Sequence, residues 1–454
     1  MAWYDSAAFY HIYPLGLCGV EKENDYIPKE SKFKELDLWV EYMKNTGFEA
    51  VYIGPLFESK THGYDTTDYK KVDSRLGTND DFRRWVDLCH EAGIKVVVDG
   101  VFNHTGRDFS AFKNIQAEKR DSWGKDWYCW VDFNNRSPLG DEFNYESWRG
   151  YPQLPKLNHQ NPAVGDYLLE VVEFWADNFD IDGIRLDCAD VLDFHFMKRL
   201  RSRCNQLKED FWLMGEVIHG DYSRWVNGEM LNSVTNYELH KGIYSAHNSH
   251  NYFEMAHTVN RLFGEPYGIC KGARLYNFVD NHDVDRIASK LENKKNLYPV
   301  YTFLFTILGV PSVYYGSEWG VEGKKVNGND DPLRPKIDLE KDRPKNCDLV
   351  SYVQLLCHIR KSRPELRDGT YKELILTNRQ YAFARISGNH GCAVILNNDE
   401  AAVWMDVTAP VIARQGKDLV TGDIYPVNNG RIQIEVPGNS GTIIGFDEEK
   451  SDET

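Results

Sequence analysis

Long apolar runs are missing from this chain of 454 residues, and no stretch approaches the roughly 18 apolar residues of a spanning helix. A helical membrane protein is excluded. The opening MAWYDSAAFYHIYP lacks the basic start and apolar run of a secretory signal, so the expected address is cytoplasmic. Paired cysteines are missing too: the nine present are scattered, odd in number and without a CxxC pair, which predicts reduced thiols instead of a disulfide framework. Positive charge is scarce, with 53 Lys and Arg against 69 Asp and Glu and a formal net charge of -16. Such a chain repels phosphate backbones and anionic lipid surfaces, so neither nucleic acid nor a membrane is an expected partner. No internal repeat or low-complexity segment is visible.

What is present begins with length, which suits one large domain with additions. Short apolar or β-branched runs recur, and the early ones are each followed by a segment of helical period, the mark of parallel strands covered by helices. Eight can be placed: Phe9-Tyr13, Ala50-Ile53, Lys95-Asp99, Gly183-Asp187, Phe211-Glu216, Ser233-Tyr237, Leu275-Val279 and Pro311-Tyr315. Eight predicts closure into a (β/α)8 TIM barrel, an α/β fold. Phe33, Leu36, Trp39, Val40 and Met43 make one helical stripe, with Ser31 as N-cap and Gly47 as the stop. Pro162 opens another, whose inner face is Tyr167, Leu168, Val171 and Trp175. Between about 105 and 160 the rhythm fails in a segment rich in Trp, Asn, Asp, Arg and Gly, which reads as an insertion after the third strand. From about 370 the runs shorten and alternate, as in Tyr381-Ile386, Cys392-Leu396 and Arg431-Val436, predicting an antiparallel C-terminal β domain and a frayed tail, EEKSDET. The expected division is 1-104 and 161-368 for the barrel, 105-160 for the insertion and 369-454 for the β domain.

A barrel of this kind places chemistry at the carboxyl ends of its strands. Four ends carry polar groups: Asp99, Asn103 and His104 after the third, Arg185 and Asp187 on the fourth, Glu216 on the fifth, and Asp280 to Asp283 after the seventh. Arg185 and Asp187 stand two apart on a strand and share a face, so the guanidinium favours an ionised Asp187. A glycosidase needs one such carboxylate and a second, protonated one, for which Glu216 is the natural choice. Asp283 adds a third acid whose crowding helps keep one protonated, while His104 and His282 offer hydrogen bonds to a polyol. Each group also has a bland reading. Asp99 and Asn103 can be caps or turn formers, Arg185 with Asp187 a structural ion pair, and Asn281-His282-Asp283 a turn. Their coincidence at strand ends favours a site; the aromatic content of 13%, including 12 Trp and 26 Tyr, would suit stacking on sugars, with core packing as the bland reading that outweighs it on composition alone.

The same segments, DGVFNH (99-104), GIRLDCAD (183-190), GEVI (215-218) and FVDNHD (278-283), resemble in order and strand position the four motif regions of the α-amylase family, glycoside hydrolase family 13. The resemblance spans the chain, since that family also has an insertion after strand three and a C-terminal β domain. It implies that Asp187 is the nucleophile, Glu216 the acid/base and Asp283 the stabiliser of the transition state. Arg185, His104 and His282 would line the same subsite. Tyr64, in HGYDTTDY, looks like the family tyrosine that stacks on the sugar being cleaved, with a loop tyrosine covering the core as its bland alternative; Asp99 looks like an architectural aspartate. LPKLN (154-158) is similar to a motif of the neopullulanase, cyclomaltodextrinase and maltogenic amylase group. NDDPLR (329-334) resembles that group's segment holding the next sugar, which points to Asp331 and Arg334, at a spacing one residue from the usual form.

There are departures. That group usually begins with a carbohydrate-binding domain used in dimerisation, whereas here the first barrel strand starts by Phe9, and the oligomeric state stays open. Where many α-amylases have a calcium-associated histidine, four beyond the nucleophile, this chain has Val191; DxDxDG is also absent, so no metal or other cofactor is expected. The expected function is a retaining α-glucan hydrolase acting on α-1,4 bonds of maltooligosaccharides, cyclodextrins or starch. Its rivals are an α-1,6-glucosidase or glucosyltransferase of the same family, a non-catalytic carbohydrate-binding protein of this fold, and a metal-dependent barrel hydrolase. The last commonly carries His-x-His at the first strand end, where this chain has only His11.

Overall fold

Eight short parallel strands appear where the apolar runs predict them. In the computed structural model, which describes residues 2-344 and 347-447, they are β1 (Phe9–Ile12), β2 (Ala50–Ile53), β3 (Lys95–Gly100), β4 (Gly183–Leu186), β5 (Trp212–Gly215), β6 (Ser233–Val234), β7 (Tyr276–Phe278) and β8 (Val310–Tyr314). Their lateral order is β6-β5-β4-β3-β2-β1-β8-β7, and a parallel bridge between Thr235 and Tyr276 joins the two edges into a barrel. β6 is shorter than its run implies because Asn236 leaves the strand to cap the next helix, accepting from the Leu239 amide at 3.1 Å.

Alternation along the strands sorts the side chains. Phe9, Ala50, Tyr52, Val97, Trp212, Met214, Tyr276, Phe278 and Val310 point inward and fill the barrel, with Phe9 and Trp212 ring centroids 4.7 Å apart. Tyr10, Ile12, Val51, Ile53, Val96 and Val98 point outward into the layer shared with the helices. That layer includes the helix Phe33–Thr46, which stops at Gly47 with φ 102° as expected. Its start is one residue off: Lys32 holds the N-cap position, and Ser31 Oγ accepts from the Phe33 amide at a long 3.4 Å. Pro162–Phe179 buries Leu168, Val171 and Trp175, leaves Tyr167 half-buried, and is capped by Asn161 through the Ala163 amide at 3.1 Å.

The segment after β3 is held beside the barrel mouth by Phe112, Tyr128, Phe143 and Tyr145, whose rings are continuous with the main core, by an Arg107–Asp141 ion pair at 2.7 Å, and by bridges pairing His104 with Lys156 and Tyr128 with Leu157. It contains a helix, Ser110–Glu118, that the sequence reading missed. C-terminal to the barrel, a six-stranded antiparallel sheet (Thr370–Leu376, Gln380–Ser387, His390–Asn397, Ser440–Asp447, Gln415–Asp418, Ile424–Pro426) faces a two-stranded one (Val403–Thr408, Arg431–Val436). Ala393, Ile395, Met405, Ile432, Ile434 and Ile444 fill the space between them, a sandwich core. The tail EEKSDET lies outside the described residues.

Candidate active site

The inward-facing series of three strands ends in acids. Val97 is followed two residues on by Asp99, Arg185 by Asp187, and Met214 by Glu216, so the alternation that fills the barrel also delivers these carboxyls to its carboxyl-terminal mouth. Arg185, 3% exposed, ties them together: Nη1 donates to Asp99 Oδ1 and to Asp187 Oδ1, both at 2.9 Å, and Nη2 pairs with Glu216 Oε2 at 2.9 Å.

The predicted Arg185–Asp187 pair therefore forms, but the guanidinium is divided among three acids. Burial pushes the Asp187 carboxyl well above its ordinary range, opposed by Arg185 and reinforced by Glu216 and Asp99. Asp283 behaves differently from the crowding reading. Burial works to raise it, yet His282, with Nε2 2.9 Å from Oδ2, and Arg334, with Nη2 3.0 Å from Oδ1, hold it well below the usual carboxylate range. The crowding comes from Asp99 instead.

Around the acids the remaining predicted groups converge. Asp99 Oδ2 accepts from the Tyr52 hydroxyl at 2.7 Å and the Tyr64 hydroxyl at 3.0 Å. Tyr64 also meets His282 Nε2 through its hydroxyl, and its ring stacks on the imidazole at 5.5 Å and 12°. Asn103 Nδ2 donates to His104 Nδ1 at 3.1 Å, which leaves the proton on Nε2 to donate to the Tyr64 carbonyl at 3.1 Å. Burial lowers His104 to about 3, so it stays neutral.

Arg334 reaches the same place: Nε donates to the His282 carbonyl at 3.0 Å and the guanidinium lies 4.6 Å from the centre of the Tyr13 ring. Asp331 does not reach it. Its half-exposed carboxylate turns to Lys22, and Asp330 accepts from Arg334 Nη2 at 3.1 Å in its stead.

Three further residues were missed. Tyr13 continues the inward alternation Phe9, His11, Tyr13, a signal that was available. Asp330 was one position from the residue chosen. Cys188 gave none, because its side chain says nothing about the backbone that turns it into the site. His104, Asp187 and Cys188 each bring a ligand atom within 4.8 Å of the others, the one such grouping among the described residues. These atoms are engaged within the protein: both His104 nitrogens by Asn103 and the Tyr64 carbonyl, and the two Asp187 oxygens by Arg185 and the Cys188 thiol.

Buried acids gathered on an arginine at the mouth of a parallel barrel, with tyrosines and histidines beside them, are equipped for acid–base and nucleophilic chemistry and mark the chain as a barrel enzyme. Comparison with known proteins narrows this. The family model described as alpha amylase, catalytic domain, matches residues 38–351. A cyclomaltodextrinase from a Bacillus species is 31% identical over 425 residues, 88% of this chain and 74% of that protein. A solved cyclomaltodextrinase structure superposes with a TM-score of 0.85 at 27% identity, covering 97% of this chain and 78% of its own. The debranching enzyme of Nostoc punctiforme does so with 0.83 at 26%, covering 98% and 99%. The chain belongs to the α-amylase family and is a glycoside hydrolase.

Proposed function

We propose that this enzyme cleaves α-1,4-glucosidic bonds of maltooligosaccharides and cyclodextrins by double displacement, with the anomeric configuration retained. The observation that carries the reading is the single guanidinium of Arg185 holding Asp187 and Glu216 at 2.9 Å each, which sets two carboxyls side by side under one charge. Asp187 attacks the anomeric carbon while Glu216 gives its proton to the glycosidic oxygen; the leaving sugar departs with that proton, and the glucosyl unit stays on Asp187 as an ester. Glu216, now a carboxylate, takes a proton from water, the hydroxide oxygen attacks the same carbon, and Asp187 is released. Turnover uses the form with the proton on Glu216 and none on Asp187.

Asp283, held ionised by His282 and Arg334, accepts hydrogen bonds from ring hydroxyls and steadies the positive charge that develops at the anomeric carbon. Tyr64 offers its ring to the apolar face of the sugar. Arg334 with Asp330 takes the next one. Glu216 carries the proton in both half-reactions and Asp187 is the first nucleophile. Names among the relatives support glucan oligosaccharides as substrate. A second reading, α-1,6 cleavage, is favoured by one observation, the likeness to a debranching enzyme along nearly the whole chain.

The test is a product time course from maltotriose, a cyclodextrin, panose and pullulan, with the anomer released read by proton NMR. Maltose and glucose are expected from maltotriose and cyclodextrin, with each newly formed reducing end in the α configuration, and Glu216→Gln should lower turnover by at least about a thousandfold. β-Anomeric product, or near-normal turnover in that variant, overturns the mechanism. Cleavage confined to panose and pullulan at their α-1,6 bonds replaces the bond assignment with the second reading.

A further inference from the structure

Cys188 directly follows Asp187 and sits at φ 48°, ψ 41°, in the left-handed region that residues other than glycine seldom enter. The turn aims its two hydrogens at two different acids. Its amide donates to Glu216 Oε2 at 3.0 Å, and its thiol donates to Asp187 Oδ2 at 3.0 Å. Asp187 Oδ1 is taken by Arg185, so the thiol closes the only oxygen that Arg185 leaves open.

We propose that Cys188 is a positioning residue that clamps both acids of the reaction, Glu216 through its main chain and Asp187 through its thiol. The inference rests on the roles proposed above for those two acids. A carboxylate held at one oxygen still pivots about its Cα–Cβ and Cβ–Cγ bonds, whereas one held at both is fixed in the orientation it needs for in-line attack. The choice of sulfur matters, because a thiol is a weak donor. It restrains the carboxylate while withdrawing little of the electron density that makes the oxygen nucleophilic. A hydroxyl at the same place would bind more strongly and make Asp187 easier to ionise and poorer in attack. Burial raises the thiol's own proton affinity far above normal, with Asp187 and Glu216 adding to it, so Cys188 keeps its proton and remains a donor.

The other groups facing Asp187 are Arg185 on its own strand, Asp99 and His104 from β3 and the loop beyond it, Tyr69 from the strand Thr66–Val72, and Glu216 at the end of β5. Substitution at Cys188 leaves all of them in place, and with them the charge around Asp187. A change in how Asp187 titrates then reports on the thiol.

The experiment compares Cys188→Ser and Cys188→Ala with the parent in kcat/KM against pH on an aryl α-maltoside, alongside thermal melting of each. Loss of the donor in Cys188→Ala should move the acid limb to higher pH and lower kcat/KM at the optimum by about tenfold, the scale of one hydrogen bond. Cys188→Ser should move the limb the other way, to lower pH, and recover kcat/KM to within about threefold of the parent. Limbs that superimpose on the parent's, or that shift in one direction for both variants, overturn the proposal. If the alanine variant fails to fold, the isosteric serine decides alone through the sign of its shift. Asp187→Asn separates the two levels: activity surviving in it defeats the assignment of the acids, while an inactive Asp187→Asn with unchanged Cys188 profiles defeats only the clamp.

Discussion

Glu318 shows at the scale of one residue how burial is offset in this barrel. Its Oε1 accepts from the Tyr10 hydroxyl at 2.8 Å and the Tyr42 hydroxyl at 2.7 Å, while Oε2 is buried without a partner. Burial pushes the carboxyl up to about 7, the two tyrosines pulling only part of the way back. The folded state therefore binds a proton that the unfolded state, near 4.5, has released. Stability is fully present below about 4.5 and is lost as pH rises through about 7, a loss of about 3 kcal/mol. Glu318→Gln, which copies the protonated acid and still accepts from both tyrosines, should flatten that fall between pH 5 and 8 in urea titrations. A slope equal to the parent's would show that Glu318 does not titrate there. Arg334 gives a second residue-scale prediction. Asp330→Ala, which removes one of its two carboxylate partners, should lower kcat/KM on maltooligosaccharides by about tenfold, whereas Asp331→Ala, whose exposed pair with Lys22 contributes little, should stay within about twofold. The reverse order would return the sugar contact to Asp331.

Elements were easier to see than their ends. Barrel strands are buried on both faces, so each stands out as an apolar run, and all eight were legible for that reason. Their polar ends were legible too, because alternation carries Asp99, Asp187 and Glu216 to the mouth without any choice by the loops. What failed was decided locally. Asn236 ends β6 by capping, the turn Asp331–Leu333 sends neighbouring aspartates to opposite sides, and Ser110–Glu118 hides its period in nine residues of which Ala111, Phe112 and Ile115 are buried. The joint between elements was equally invisible. Arg385, fully buried on the strand Gln380–Ser387, donates to the carbonyls of Thr306 at 2.6 Å, Leu366 at 3.1 Å and Gly369 at 2.9 Å. Thr306 ends the helix Leu297–Thr306, whose terminal carbonyls have no partner within the helix, and a cation there meets the negative end of its dipole. Arg385→Met keeps the bulk but takes the donor from the Thr306 and Gly369 carbonyls, while the Leu366 carbonyl still accepts from Arg360 Nη1 at 3.0 Å, so chemical denaturation should show a loss of at least about 2 kcal/mol. Arg385→Lys, with one nitrogen in place of three, should recover less than half of it. A methionine variant as stable as the parent would mean that those carbonyls find other donors.

At the scale of the whole molecule, the question is whether the barrel and the C-terminal sheets are one cooperative body. The six-stranded sheet has two apolar faces. One closes the sandwich; the other, with Tyr381, Phe383, Val394, Leu396 and Ile443, is continuous with the core that holds Phe303, Leu304 and Leu356 of the barrel's helices. Phe303 and Phe383 ring centroids lie 5.9 Å apart, and the buried Asn398 side chain donates to the His247 carbonyl at 3.0 Å across the same boundary. A joint of this sort is a core and not a surface contact between domains, so separating the halves would expose large aromatic side chains on both at once. Unfolding of either should then drag the other with it. Scanning calorimetry is expected to give a single endotherm, and Arg385→Met, which weakens the joint itself, should lower its temperature without dividing it. Two resolved endotherms in the parent protein would show that the sheets fold on their own account, and that the shared core is a docking face instead of a common interior.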